Sequence, residues 1–338
     1  MQRTIFVTGA GGYIGSVTAY TLLAKGYRVI AVDNFSTGYR EPLEALAGIF
    51  GSDRCRFYEA DIGSDRDLGA IIRRHSPIHA VVHLAASCSV AQSVRNPALY
   101  IANNACATNT LLATMVSHGV GTLVFSSTCA VYGAAKAIPV HETHPTAPLH
   151  PYAASKRMAE EIIQWYGKVK NVRYVLLRYF NVCGASDDGR FGDSKKPSTL
   201  LVQNCVRAAL GIAPFSLTCA AVDTPDGTPV RDYIHVADVS DAHVLAIRYL
   251  DGGGQSELFN LGSGRGSSVL EVVSAVNRAT GTTFPCRRGK TRPGEYARIV
   301  ASVAKARTVL GWRPGRSLEA SIASLLTWYR GHPKGWGT

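Results

Sequence analysis

The sequence predicts an α/β fold: a doubly wound parallel sheet followed by a smaller α/β C-terminal region. Three observations predict it. Short β-branched runs alternate with helical stretches through the first half, as in a sheet covered on both faces. A glycine-rich turn joins the first strand-like run to the first helix-like one. After about Asn181 the alternation gives way to a polar loop and further helices.

Strands are expected over 4–8, 27–33, 56–61, 80–83, 122–126 and 173–178, with helices between them such as 13–25 and 97–117. Right-handed crossovers would wind these elements into one sheet. Beyond Asn181 a Gly/Asp-rich loop covers 184–197, and helices are expected over 198–210, 236–250 and 267–280. The expected division is a dinucleotide domain over 1–180 and a substrate domain over 181–338, partly interleaved and with a cleft between them.

Composition narrows the class. With 46% apolar and 18% charged residues, a folded enzyme is expected and disorder is not. No apolar run reaches membrane-spanning length, and residues 1–8 are too short to hold a signal core, so a cytoplasmic location is the default. The net charge of +12 is spread in short groups such as Arg73-Arg74 and Lys195-Lys196, which argues for a solvated surface rather than nucleic-acid binding. The eight cysteines form no C-x-x-C pair and are expected to be small buried thiols. His141-Glu142-Thr143-His144 lacks one residue of the spacing a helical zinc box needs, and Pro145 argues for a loop, so no metal is expected.

Gly9-Ala10-Gly11-Gly12-Tyr13-Ile14-Gly15 carries the first sign of chemistry. Glycines let the backbone turn tightly and approach a pyrophosphate, whose charge the helix amides then meet. Asp33 closes the second strand, where a carboxylate accepts from both ribose hydroxyls and repels a 2′-phosphate. The stretch 33–38 holds no arginine or lysine, and Arg40 is the first cation after it, so NAD is expected rather than NADP. Asp61 and Ile62 end the third strand near the adenine. Leu84, Ala85 and Ala86 follow the structural His83 and are small enough for close approach.

Tyr152-Ala153-Ala154-Ser155-Lys156 carries the second. A free tyrosine, with a pKa of about 10, is a poor base at neutral pH. A lysine four residues later falls on the same helical face, and its charge is expected to favour the phenolate.

These stretches, with D-N-F-S-T-G (33–38), F-S-S-T (125–128), R-Y-F-N-V (178–182), V-R-D-Y-I-H-V (230–236) and R-P-G-E (292–295), resemble the extended short-chain dehydrogenase/reductase family, and within it the UDP-glucose 4-epimerases. The resemblance covers roughly residues 3–330. It implies a Rossmann-type NAD domain and a retained NAD that oxidises a sugar at C4 and reduces it from the other face. Tyr152 would be the base, Thr128 would bond the 4-oxygen, and Lys156 would hold the nicotinamide ribose. Asn34, Ser36, Thr37, Asn104, Ser126 and Tyr179 would add to the cofactor site. Cys88, Phe180, Asn181, Leu200, Arg231, Arg292 and Glu295 would line the UDP-sugar site. A homodimer through helices 97–117 and 151–167 is also implied.

The chain departs from that family in places. Cys88 stands where many epimerases carry lysine, and Leu217-Thr218-Cys219-Ala220 replaces an aromatic-glycine segment near the uracil. Ile299 falls where bulky 2-substituents are screened, which favours unacetylated sugars. A dehydratase would want Asp-Glu after Thr128, where Cys129-Ala130 stand, and a decarboxylase a Glu at Ala130. Epimerases of UDP-glucuronate, UDP-xylose or UDP-arabinose stay open; a uronate would want a cation, and Arg190 is the loop candidate.

Overall fold

The computed structural model describes residues 2–289 and 296–337. The chain forms two compact units, the first comprising Met1–Val131, Pro148–Arg178 and Ser240–Phe259, the second Tyr132–Ala147, Tyr179–Val239 and Asn260–Thr338.

In the first unit, β1 (Thr4–Thr8) is buried along its whole length, as a β-branched and aromatic run in a two-faced sheet must be. α1 (Tyr13–Ala24), β2 (Arg28–Asp33), α2 (Glu41–Phe50), β3 (Cys55–Glu59), α3 (Asp65–His75) and β4 (Ala80–His83) follow. Next come α4 (Val90–Arg95), α5 (Pro97–Tyr100), a π-helical turn over Ile101–Cys106 and α6 (Ala107–Ser117). β5 (Thr122–Thr128), α7 (Pro151–Lys170) and β6 (Arg173–Tyr179) complete this stretch. The chain then makes β7 (Asn181–Cys183), α8 (Leu201–Ala209), β8 (Phe215–Leu217), β9 (Val230–His235) and α9 (Val236–Asp251) before β10 (Glu257–Leu261).

The sheet of the first unit has the order β10-β6-β5-β4-β1-β2-β3. β3, β2, β1, β4 and β5 pair in parallel. Strand order reverses between β1 and β4, which opens a crevice at their carboxyl ends. Phe6, Ile30, Val81, Leu111, Leu123 and Ile163 form its core.

The second unit adds β11 (Gly266–Ser268), α10 (Val269–Thr280), β12 (Cys286–Arg288), β13 (Arg298–Ile299), α11 (Ala304–Thr308) and α12 (Leu318–Gly331). β9 pairs with β7, β11 and β13, and β8 pairs with β12. Asp232 of β9 is fully buried and accepts from Ser263 N and Oγ, both at 2.6 Å, Gly264 N at 3.0 Å and Ala301 N at 3.1 Å. One carboxylate thus ties three segments of this unit. Val202, Phe215, Tyr233, Val276 and Trp328 pack its core.

Four expectations are corrected. The helix over 97–117 is divided by its π turn, where Asn104 sends its side-chain hydrogen bonds sideways to Ser87 and Ser155. The third strand stops at Glu59, because Asp61 Oδ1 accepts from Gly63 N at 2.7 Å and turns the chain. The helix expected from 198 begins at Leu201, since Ser198 bonds Asp193 and its carbonyl accepts from Asn204. Cys55, Cys129, Cys183 and Cys205 are buried, but Cys88, Cys106 and Cys286 are exposed.

Residues 141–144 form a loop, with Glu142 accepting from Asn260 N at 2.9 Å and His144 Nε2 accepting from Lys136 N at 3.0 Å. Among the described residues no group of three His, Cys, Asp or Glu could hold a metal, and no helix is long and apolar enough to cross a membrane.

Candidate active site

The turn after β1 is a cradle that side chains would fill. A Cβ on Gly9 would lie 2.5 Å from Ala85 N, one on Gly11 2.5 Å from Tyr39 O, and one on Gly15 2.0 Å from Gly9 O. Gly9 also has φ +69°, a left-handed backbone that suits glycine. Gly12 is the N-cap of α1, which has no side-chain cap and no acidic residue in its first turn. By contrast Ser64 caps α3 and a capping box closes α10. An uncapped helix start keeps its amides for an anion.

Asp33 is buried at the end of β2. Its Oδ2 accepts from Gly11 N at 2.9 Å and its Oδ1 from Phe35 N at 2.8 Å. Burial raises its pKa above the usual carboxylate value, and these two amides oppose the rise. A carboxylate offers about four acceptor positions, so the two amides orient Asp33 while leaving room for a ribose diol. Asn34 accepts from Ser36 and donates to Asp61 Oδ2 at 2.8 Å, binding the β2 and β3 ends together. Arg40 pairs with Glu59 and lies over the Phe35 ring, 4.9 Å from its centroid. The first cation after Asp33 in sequence is thus already engaged. Thr37 is exposed and Leu84, Ala85, Ala86 and Ser126 are half-buried. Ile62 packs its side chain into the core. The cradle, the uncapped helix and the oriented carboxylate fit a dinucleotide.

α7 brings the second group together. Pro151 occupies its first turn, and the His150 side chain accepts from Ala153 N at 3.2 Å as the cap. The His150 ring also stacks on Tyr152 at 5.9 Å, while Tyr100 meets the same ring edge-on at 6.4 Å. Tyr152 is half-buried, and its hydroxyl is hydrogen-bonded to the Thr128 side chain. Lys156 lies one turn on, buried, with Nζ 4.2 Å from the centre of the Phe125 ring.

The electrostatics differ from the expectation that Lys156 lowers Tyr152. Burial raises the phenol above its ordinary value and the Cys88 charge adds to the rise, while the Thr128 hydrogen bond opposes it. Burial also lowers Lys156 to about 7, against opposing pulls from Cys88 and Glu160. A lysine half-charged at neutral pH has little field to spend on its neighbour.

Behind the pair lies a network that sequence reasoning missed. Glu160 is buried, pairs through both oxygens with Arg178 at 2.8 and 2.6 Å, and accepts from Ser127. The buried Asn104 clamps the Ser87 backbone and donates to Ser155 Oγ at 3.0 Å, so it positions α7. His83 is locked between Thr8 at 2.7 Å and Thr108 at 2.9 Å, with burial lowering its pKa to about 3, and is structural as expected. For His150 the signal was its place before an N-terminal proline. The contacts of Glu160 with Arg178 and Ser127 span sheet and helix and leave no local trace.

In the second unit, a cavity of about 210 Å³ brings together Asn181, Leu200 and Arg231 with Phe215, Leu217 and Tyr233. Arg231 lies over the Tyr296 ring at 4.5 Å and donates to the Val230 and Tyr296 carbonyls, both at 3.0 Å. Tyr179 and Phe180 are buried, and so is Ile299. Cys88 is exposed in the first unit. Arg292 and Glu295 lie outside the described residues. A larger hollow of about 450 Å³, lined by Arg3, Ile78, His79, Thr122 and Arg173, sits at the amino ends of the strands, opposite the end where such sheets bind ligands.

A sequence model of the NAD dependent epimerase/dehydratase family matches residues 5–262. The chain belongs to this family. It is 40% identical to the UDP-glucose 4-epimerase of Lacticaseibacillus casei over 99% of both chains. Among solved structures it resembles the UDP-glucose 4-epimerase of Bifidobacterium longum in complex with NAD+ and UDP, with a TM-score of 0.93 and 35% identity over 98% of this chain and 100% of that one. The enzyme from Brucella ovis in complex with NAD gives a TM-score of 0.89 and 35% identity over 96% and 97%.

Proposed function

We propose that this chain is a UDP-glucose 4-epimerase that interconverts UDP-glucose and UDP-galactose with a retained NAD. The observation that carries the reading is the Tyr152–Thr128 hydrogen bond beside the buried Lys156, in a chain that aligns end to end with UDP-glucose 4-epimerases. The first unit takes the dinucleotide through Gly9, Gly12, Tyr13, Ile14, Gly15, Asp33, Asn34 and Asp61. The second takes the nucleoside diphosphate through Asn181, Leu200 and Arg231, with Arg292 and Glu295 in the same role.

Bound NAD supplies a two-electron carrier that takes a hydride at one stage and returns it at the next. The chain's own groups handle the proton. Tyr152 Oη takes the proton of the sugar 4-hydroxyl in its phenolate form, which burial disfavours and the Thr128 hydroxyl favours, and later gives it back. Thr128 donates its one hydroxyl proton to Tyr152 Oη, which favours the phenolate. Lys156 holds the nicotinamide ribose and sheds its own charge readily, because burial has already lowered it.

Two observations favour this reading over its neighbours. Cys129 and Ala130 follow Thr128, so the positions after it offer no carboxylic acid to expel a hydroxyl. Arg190, the cation a uronate would want, is exposed and paired with Asp188 at 3.4 Å. The test is to incubate the purified protein with UDP-galactose and no added cofactor. UDP-glucose should form, and denaturation should release NAD. Loss of water from the sugar nucleotide, or release of NADP, refutes the reading.

A cytoplasmic homodimer completes the proposal. Val94, Leu99, Ile101, Trp165 and Val169 are exposed apolar side chains on α4 to α7 of the first unit, Val94 at 63% and Trp165 at 62%, the kind of surface a second copy covers. Light scattering should give twice the chain mass, and Trp165→Glu should halve it.

A further inference from the structure

We propose that His150 is a positioning residue: it caps the helix that carries Tyr152 and, with the same ring, keeps the phenol aimed at the reacting oxygen. The inference rests on the reading of Tyr152 as the base and adds the group that holds it in place.

Tyr152 is the second residue of α7, which starts at Pro151. A helical side chain leans back over the turn before its own, and here there is no earlier turn to lean on. A phenol at that place rotates freely unless other groups hold it. Three do. Thr128 hydrogen-bonds its hydroxyl. Tyr100 meets its ring edge-on, with the planes at 82°. Tyr100 is itself fully buried, and its hydroxyl accepts from Ser89 N at 3.0 Å and donates to Gln92 at 3.1 Å. The His150 ring lies parallel to the phenol, with planes 6° apart and centroids 5.9 Å apart, within the range of an offset stack. Turning the phenol about its own axis breaks both ring contacts at once.

The residue chosen for this place is unusual. Small oxygen side chains are the best helix caps, and this chain uses them: Ser64, Ser89, Asn96, Ser268 and Ser317 cap α3, α4, α5, α10 and α12. α7 instead takes an imidazole, whose Nδ1 accepts from Ala153 N at 3.2 Å. That bond needs the Nδ1 lone pair, so the ring is neutral with its proton on Nε2. Burial, which lowers the pKa of His150, favours the neutral form. Where histidine does the same before α9, the rest of its ring is used too: His235 Nδ1 accepts from Ala237 N at 3.0 Å, and its Nε2 lies 3.2 Å from Ser324 Oγ. Serine in place of His150 would cap α7 as well and leave one face of the phenol bare.

A base works only within hydrogen-bond reach of its proton, and small misplacements of a positioned group slow the reaction. Without the stack the phenol divides its time among rotamers, and turnover falls by the share lost. Binding of NAD and of the sugar nucleotide runs through other residues and is unaffected.

The test separates the ring from the cap. His150→Asn keeps an acceptor for Ala153 N and removes the ring. His150→Phe keeps a ring and removes the acceptor. With UDP-galactose as substrate, the asparagine variant should match the wild type in urea midpoint, KM and NAD content, yet its kcat should fall by roughly three- to tenfold. The phenylalanine variant should unfold at lower urea concentration and recover most of that turnover. His150→Ser replaces the asparagine variant, and His150→Tyr the phenylalanine one, where either fails to fold. Wild-type kcat in the asparagine variant, or turnover that simply follows stability across the set, overturns the proposal alone. A wild-type protein that leaves UDP-galactose unchanged overturns the substrate reading as well.

Discussion

Replacing Lys156 with methionine should stabilise the protein near neutral pH, by an amount that shrinks as pH rises. Burial lowers this lysine from 10.5 to about 7, while in the unfolded chain it regains a value near 10.4. Between those limits the unfolded state binds more protons than the folded one, so this group makes wild-type stability climb with pH. A shift of this size corresponds to about 5 kcal/mol at roughly 1.4 kcal/mol per unit. Most of that cost is present at pH 7 and about 2 kcal/mol less of it remains at pH 9. Methionine fills the same space without the charge and loses the contact with Phe125, worth about 0.5–2 kcal/mol. Urea denaturation of both proteins, stripped of nucleotide, at pH 7, 8 and 9 measures the difference. The stability gap should narrow by about 2 kcal/mol over that range. Parallel pH curves would show that Lys156 titrates normally, and the account of a nearly neutral lysine would fail. Turnover should fall by about tenfold or more, because the group that holds the ribose is lost.

Three further outcomes are expected. Tyr152→Phe should reduce turnover by ~10²–10⁴-fold with NAD still bound; near-normal turnover would remove Tyr152 as the base. Gly15→Ala places a methyl 2.0 Å from Gly9 O, so the purified variant should carry little NAD when its denatured supernatant is assayed. Glu160→Gln removes the charge paired with the buried Arg178; chemical denaturation should show a loss of about 3–5 kcal/mol, and a loss below 1 kcal/mol would mean that water already screens the pair.

The first half of the fold was legible because its strands are buried on both faces and read as apolar β-branched runs. β1 and β4 fall on the expected residues. The Tyr152/Lys156 spacing was equally legible, since a helix fixes which residues share a face. The short strands of the second unit were not: Asn181–Cys183, Phe215–Leu217 and Gly266–Ser268 have three residues each, too few to show alternation. The sign of the Tyr152 shift was missed for a related reason. Spacing places a lysine beside a tyrosine, but its charge depends on burial under Phe125, which lies in a strand distant in sequence.

β10 has a consequence for how this protein is made. The strand that covers β6 at the sheet edge comes from residues 257–261, long after the glycine turn and the Tyr/Lys helix have left the ribosome. Until it emerges, the nascent polypeptide presents an open row of unpaired amides and carbonyls along β6. A fragment ending near residue 180 would carry every glycine of the cradle yet stay prone to clumping. Cutting the chain after the nucleotide-binding half would therefore leave β6 as an exposed sheet edge.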